Sequence, residues 1–222
     1  MILENIPIQL ETLEVMKSLK LGTSSPTAVK KIESLIESIT PVMRPKAAYN
    51  QCKVHGIESD AVSVDNQSFH SKVLVKNLQE IECCYPYVVT AGHELDEIEL
   101  SSGQSVMLLD LVKNVVVEKA FQYTKKYISE KYNQPKLTVM SPGHLDDWPL
   151  TGQRPLFNLL GSDVEKIGVR LTDSYLMIPI KSVSGIMFTS ETGFESCKVC
   201  LQSRCMGRRA AYDPVVAKEY GL

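Results

Sequence analysis

Four groups of residues in this chain have types and spacings that could do chemistry. Near the end, Glu195 to Arg209 reads ESCKVCLQSRCMGRR, which sets Cys197, Cys200 and Cys205 as C-x2-C-x4-C. Two cysteines separated by two residues can chelate one ion or cluster through a tight turn. Three thiolates are an incomplete tetrahedral set, so a fourth ligand would have to come from Cys52, Cys83, Cys84, a histidine or an exogenous molecule. An iron–sulfur cluster with one open iron satisfies that pattern, zinc is the alternative metal, and free thiols on a terminal hairpin are the plain reading. Arg204, Arg208 and Arg209 flank the cysteines. They would lower thiolate pKa values and offset the charge of a thiolate-bound centre, or else form a basic solvated tail.

The second group is the turn Ser141-Pro142-Gly143-His144, followed by Asp146, Asp147, Trp148 and Pro149. His144 could stack on or hydrogen-bond a ligand, or face water as an ordinary turn residue. Asp146 and Asp147 are expected to cap the following turn rather than to catalyse. Trp148, the single tryptophan, reads as a core anchor. The third group, Ser182 to Gly185, is small enough for backbone to approach a flat ligand closely; the other reading is a strand that needs Gly185 for a bulge. The fourth is Glu118, isolated among apolar residues. A buried carboxylate needs a partner, which is either a ligand ammonium or a nearby Lys or Arg. No nucleophile–base pair is visible.

The elements that must position these groups read as follows. Glu4 to Leu10 alternates as a first strand, and Leu13 to Leu19 makes a short helix ended by Gly22. Ser25 and Pro26 open a helix that runs to Ile39. Ala47 to Val54 and Val62 to Val64 are strand-like with Gly56 at the turn, and Ser68 to Leu78 is helical. Glu80 to Thr90 reads as a buried strand, and Glu94 to Leu100 is open between helix and strand. Met107 to Lys131 is the longest helical pattern. A short helix then carries Leu156, Phe157, Leu159 and Leu160, an alternating strand carries Ile167, Val169 and Leu171, and a second strand follows Pro179. The class expected is α+β, with a mixed, largely antiparallel curved sheet and flanking helices. An N-terminal α/β portion would span 1–105 and a portion with the cysteine cluster 106–222, forming one compact unit.

At 44% apolar and 23% charged residues, the composition is that of an ordinary globular protein. Lys and Arg number 24 against 26 Asp and Glu, without a basic run, which argues against nucleic acid as principal partner. Apolar runs such as Val115-Val116-Val117 are too short to span a bilayer, and the acidic start MILENIPIQLETLE lacks the positive charge of a signal peptide. A cytoplasmic protein is expected, in which six cysteines are free, metal-bound or redox-active rather than disulfide-paired.

Between Thr138 and Phe188 several motifs occur in order: Ser-Pro-Gly, Asp-Trp-Pro, Gln-x-x-Leu-Phe-x-Leu-Leu, Ile-Gly-Val-x-Leu-Thr-x-Ser-Tyr and Pro-x-x-Ser-Val-Ser-Gly. Together they resemble the reactivation domain of cobalamin-dependent methionine synthase, most closely its free-standing, short-chain form. The likeness is dense over this stretch and looser from Leu109 to Lys131. It implies a site for S-adenosylmethionine, built from Ser141, Pro142, Gly143 and His144 with Glu118 meeting the donor's amino group. It implies a corrinoid contact at Ser182, Ser184 and Gly185, with the cobalamin carried on a methyltransferase partner. It gives His144 a further reading as a ligand to cobalt. In that family the turn reads Arg-x-x-x-Gly-Tyr, and its main-chain groups and arginine hold the methyl donor. Here Val139 stands at the arginine position and His144 at the tyrosine position, and Val supplies no bidentate fork.

The function implied is reactivation of a corrinoid enzyme, with an electron supplied by a separate donor such as a flavodoxin or ferredoxin. The alternative is a redox protein that carries iron–sulfur or another metal at the terminal cysteines and serves a corrinoid protein without binding S-adenosylmethionine. A third reading is a binding module that recognises the corrinoid protein without either cofactor.

Overall fold

The computed structural model describes residues 1–22, 25–98, 103–190, 193–205 and 208–222. In chain order its elements are β1 (Ile2–Leu3), α1 (Thr12–Ser18), α2 (Pro26–Ile39), β2 (Lys46–Tyr49), β3 (Cys52–Ile57), β4 (Ala61–Val64), β5 (Gln67–His70) and α3 (Lys72–Leu78). There follow β6 (Cys83–Thr90), α4 (Gly103–Lys131), β7 (Leu137–Met140), α5 (Gln153–Leu160), α6 (Asp163–Lys166), β8 (Arg170–Leu171), β9 (Met177–Ile178), β10 (Ser182–Thr189) and α7 (Pro214–Glu219).

The main sheet has eight strands, and its pairings are antiparallel. Strand β6 is its spine. One edge of β6 meets β2 and then β3, which leads into the β3–β4–β5 meander; the other edge meets β10, and β7 pairs beyond it. The expected α+β class, with a largely antiparallel sheet and flanking helices, is what forms. The sheet draws strands from both halves of the chain.

Side chains of a strand alternate between faces, and here both faces are covered. Cys84 and Val88 of β6, Ala48 of β2, and Ile186 and Phe188 of β10 join one core with α3, α5 and α6. Tyr85, Tyr87 and Val89, with Ala47, Tyr49 and Met187, join a second core under α4. A third cluster packs α1 and α2 against the first half of α4, through Val15, Met16, Ile32, Leu35, Val112 and Val116. Helix α4 is 29 residues long and serves two clusters in turn: Leu109 to Val117 in one, Ala120 to Ile128 in the other. Glu118 sits at the seam between them.

Local chemistry fixes the ends of elements. Ser25 accepts a hydrogen bond from the Ala28 N–H at 3.3 Å and Pro26 follows at the first helical position, as expected for α2. The Ser68–Leu78 stretch is divided: Gln67–His70 pairs with β4, and Ser71 takes an extended backbone and accepts from the Leu74 N–H at 2.9 Å to start α3. Asp147 adds to that helix start from the 141–149 loop. It accepts from the Ser71 hydroxyl and from the Lys72 and Val73 N–H groups at 3.2 and 3.0 Å. Asp147 is therefore a cap, but of a helix far back in the chain.

Other expectations give way to packing. Glu4 to Leu10 forms no strand; pairing begins at Ile2–Leu3. Gly56 lies inside β3 at a bulge instead of in a turn. Ile167 ends α6 as a buried anchor, and only Arg170–Leu171 is strand. Glu94–Asp96 is a short 3-10 turn, while Glu99 and Leu100 lie outside the described residues. Among the described residues no helix is long and apolar enough to cross a membrane.

Because Asp147 ties the 141–149 loop to α3, Asp147→Ala is expected to lower unfolding free energy by about 1–2 kcal/mol in chemical denaturation. An unchanged midpoint would show that the loop is held by other means.

Candidate functional site

The site arises where two neighbouring strands stop at different places. Strand β7 pairs with β10 from Thr189↔Leu137 to Ile186↔Met140 and then leaves the sheet. On its other edge β10 stays paired with β6 through Gly185↔Tyr87 to Ser182↔Thr90. Ser182 to Gly185 thus run on past the end of β7, and the chain after Met140 turns away as Ser141-Pro142-Gly143-His144. The space so opened is a cavity of about 260 Å3.

Gly185 makes that departure possible. A Cβ there would lie 2.3 Å from the Met140 carbonyl oxygen, 2.8 Å from Ser141 Oγ and 3.0 Å from the Tyr87 hydroxyl. The register of β10 on β6 is regular at this point, so Gly185 serves close approach and not a bulge. Gly143 shapes the far side of the turn. Its φ is +82°, its N–H donates to the Trp148 carbonyl at 2.7 Å, and its Cα packs under Leu150. Trp148 is fully buried, edge-on to Phe69 with ring centroids 6.0 Å apart, so it anchors the loop as expected.

Ser141, Pro142 and His144 of the turn, Ser182 and Ser184 of β10, and Glu118 of α4 all line this one cavity. Gly143 and Gly185 shape it from behind. All of these residues carry a signal in the sequence. Tyr87, Phe121, Gln153 and Met177, which the sequence does not mark as site residues, also line the cavity. Tyr87 and Phe121 stack at 5.5 Å between ring centroids and give an apolar wall. Burial pushes the Tyr87 phenol pKa well up, so it stays a neutral hydroxyl beside Ser141. Gln153 is 4% exposed, and its Oε1 has no hydrogen-bond partner although it borders the cavity. A buried acceptor left in this way is an opening for a ligand donor.

Ser182 is engaged within the protein, donating to the Pro179 carbonyl at 2.7 Å and sharing a hydrogen bond with the Thr90 hydroxyl at 3.0 Å. Glu118 is not the buried carboxylate expected from its apolar neighbours. Its side chain is 52% exposed, accepts from Gln122 Nε2 at 2.7 Å and faces Arg209 at 3.6 Å. His144, though exposed, has its pKa lowered from 6.5, first by desolvation and then by the charge of Arg209. The ring is therefore neutral at pH 7, with one donor and one acceptor nitrogen.

The terminal cysteines lie in a loop beside the cavity. Among the described residues no group of three His, Cys, Asp or Glu side chains is arranged to hold a metal ion. A guanidinium gathers the carbonyls of this loop. Arg208 Nη1 donates to the carbonyls of Cys197 and Ala210 at 2.8 and 2.9 Å, and its Nη2 to those of Cys200 and Gln202 at 2.7 and 3.1 Å. Cys200 packs against the sheet core, Cys205 points to solvent, and Cys197 Sγ accepts from the Arg209 N–H at 3.4 Å. The segment from Glu195 contains a 3-10 turn at Ser196–Lys198. It closes one side of the cavity through Glu195, Ser196, Cys197 and Arg209.

Residues 118–197 match the sequence model of the family described as vitamin B12 dependent methionine synthase, activation domain. That segment of the chain is similar to the activation domain. The matched segment begins at Glu118 and ends at Cys197, both of which line the cavity. A solved structure described as the MetH reactivation domain bound to AdoHcy has the same fold. It aligns with a TM-score of 0.58 at 13% identity, over 85% of this chain and 78% of that one. No curated protein sequence matches. Two lining residues fall outside the activation-domain segment: Tyr87 before it and Arg209 after it.

Two measurements check this geometry. Gly185→Ala is expected to cost about 1–3 kcal/mol of stability, since the new Cβ must displace the Met140–Ser141 corner. A neutral effect in denaturation would mean that the two strands do not approach as described. In NMR titration the His144 ring should have its midpoint below 6.5. Its unfolded form takes up a proton first, so its contribution to stability is full above that pH and falls as the solution is acidified below it. Arg209→Gln should move the midpoint upward, and no movement would place the guanidinium elsewhere.

Proposed function

We propose that this chain binds S-adenosylmethionine, or its product S-adenosylhomocysteine, in the cavity between the glycine turn and the end of β10, and presents the methyl group to cobalamin on a partner protein. The observation that carries the reading is the convergence of Ser141 to His144, Ser182 to Gly185 and Glu118 on one cavity. Those groups lie up to 67 residues apart in a segment that matches the activation-domain family. The solved reactivation domain of the same fold, described as bound to AdoHcy, supports the ligand class.

The residues divide the work by chemistry. Glu118 offers a carboxylate to an ammonium group. The wall of Tyr87 and Phe121 suits a planar apolar or aromatic surface. Gln153 Oε1 waits for a donor, such as an exocyclic amine or a ribose hydroxyl. The neutral His144 can hydrogen-bond without repelling a sulfonium. The role we assign to the lining residues is positioning and water exclusion rather than acid–base catalysis. The partner's corrinoid would supply the nucleophile, a low-valent cobalt reduced by a separate flavodoxin- or ferredoxin-type donor. Ser182 to Gly185, which border the cavity, are the residues we assign to the edge of the corrinoid.

The test is titration of the full chain with S-adenosylmethionine and S-adenosylhomocysteine, followed by calorimetry and by backbone amide NMR shifts. Binding with the largest shifts at Ser141–His144 and Ser182–Gly185 is expected. A chain that binds neither ligand, or binds them with shifts confined to the opposite face of the sheet, ends the reading. Complex formation with a cobalamin-binding domain tests the second half separately.

A further inference from the structure

The cavity has a charge pattern that the family segment does not account for. Among its described lining residues Arg209 is the one permanent cation, since His144 is neutral at pH 7. The opposing acidic groups are Glu118 and Glu195. Val139, on β7 beside the turn, contributes only a hydrocarbon face.

We infer that Arg209 is the carboxylate-binding residue of this site, and that with Glu118 it selects ligands carrying an intact α-amino acid group. The inference rests on the reading that an S-adenosyl compound occupies the cavity. An α-amino acid head bears an ammonium and a carboxylate on one carbon. It is matched by a carboxylate and a guanidinium standing side by side, as Glu118 Oε1 and Arg209 Nη2 do at 3.6 Å. The guanidinium fork binds a carboxylate through two parallel hydrogen bonds, which neither Val139 nor a neutral imidazole can do.

The two side chains are 53% and 52% exposed, so both remain open to an entering group. Exposed pairs of this kind are worth little in stability, and a zwitterion can interpose itself at small cost. Nor does the fork sit on a loose tail. The Arg209 N–H is held by Cys197 Sγ, and the residue before it is fixed by its hydrogen bonds to the carbonyls of Cys197, Cys200, Gln202 and Ala210. One arginine thus builds the loop and the next one faces the cavity.

The experiment compares S-adenosylhomocysteine with 5′-methylthioadenosine, which keeps the nucleoside and thioether but lacks the amino acid head. Calorimetry of the full chain and of Arg209→Gln would read both. The wild type should prefer S-adenosylhomocysteine by about tenfold or more, and Arg209→Gln should lose about that factor for S-adenosylhomocysteine while its affinity for 5′-methylthioadenosine stays within about twofold. Arg209→Lys, a point charge without the fork, should fall between. Equal affinity of wild type and Arg209→Gln for S-adenosylhomocysteine overturns the inference, as does a wild type that binds both compounds equally well. The latter comparison stands even if Arg209→Gln proves unable to fold. A wild type that binds neither compound instead removes the underlying assignment of ligand, and is thereby told apart from failure of Arg209 alone.

Discussion

Everything about the site depends on a place where a side chain is forbidden. At Gly185 the middle strand of the sheet presses against the Met140–Ser141 corner so closely that a methyl group would collide with a carbonyl oxygen and two hydroxyls. That contact lets β7 leave the sheet while β10 continues, and the difference in length between the two strands is the cavity. A bulkier residue would push the corner outward, and with it the turn that carries Ser141, Pro142 and His144. The energetic demand is steric rather than attractive, and backbone and well-packed side chains can meet it only by being shifted.

Rigidity on both sides keeps the corner in place. The spine strand β6 has both faces buried, with Cys84 and Val88 on one side and Tyr85, Tyr87 and Val89 on the other, so it cannot slip register without exposing one core. Helix α4 crosses from the α1–α2 cluster to the tyrosine-lined cluster, and its one seam between the two is where Glu118 emerges. A carboxylate at that point remains solvated while its backbone is clamped by packing on both sides. Position is thus fixed without the desolvation cost that burial of the charge would impose.

How far the sequence could be read follows from the range of the interactions. Local signals were legible: Ser25 and Pro26 opening α2, the glycine turn, the small-residue strand, and Glu118 as an isolated acid. The motifs between Thr138 and Phe188 pointed to the family. Pairing across the chain was not legible, because nothing near Tyr87 indicates that Gly185 will be its partner, and nothing near Ser71 indicates capping by Asp147. Ile167 to Leu171 alternates in hydrophobicity, yet the buried anchor at the end of α6 produces the same pattern as a strand. The cysteine spacing is silent on what organises its loop. C-x2-C-x4-C states only that three sulfurs share a short loop, and a loop can equally be organised by a cation that gathers carbonyls, as Arg208 does.

The two adjacent arginines show why charge alone says little about role. Arg208 spends its guanidinium on backbone carbonyls of four residues, each of which would otherwise need water or another donor. Its removal would cost the loop its organising centre, so its effect belongs to structure. Arg209 makes a single loose ion pair with side chains half in water, an interaction in the range that measured exposed pairs show to be nearly neutral for stability. A cation that does so little for the fold, held by its own backbone at the edge of a cavity whose other charges are negative, is electrostatically unfinished. Desolvation first, and then the charge of Arg209, lowers the pKa of His144 and of Lys125. An anionic group arriving between it and the turn would meet the fork beside a neutral imidazole, which neither attracts nor repels it.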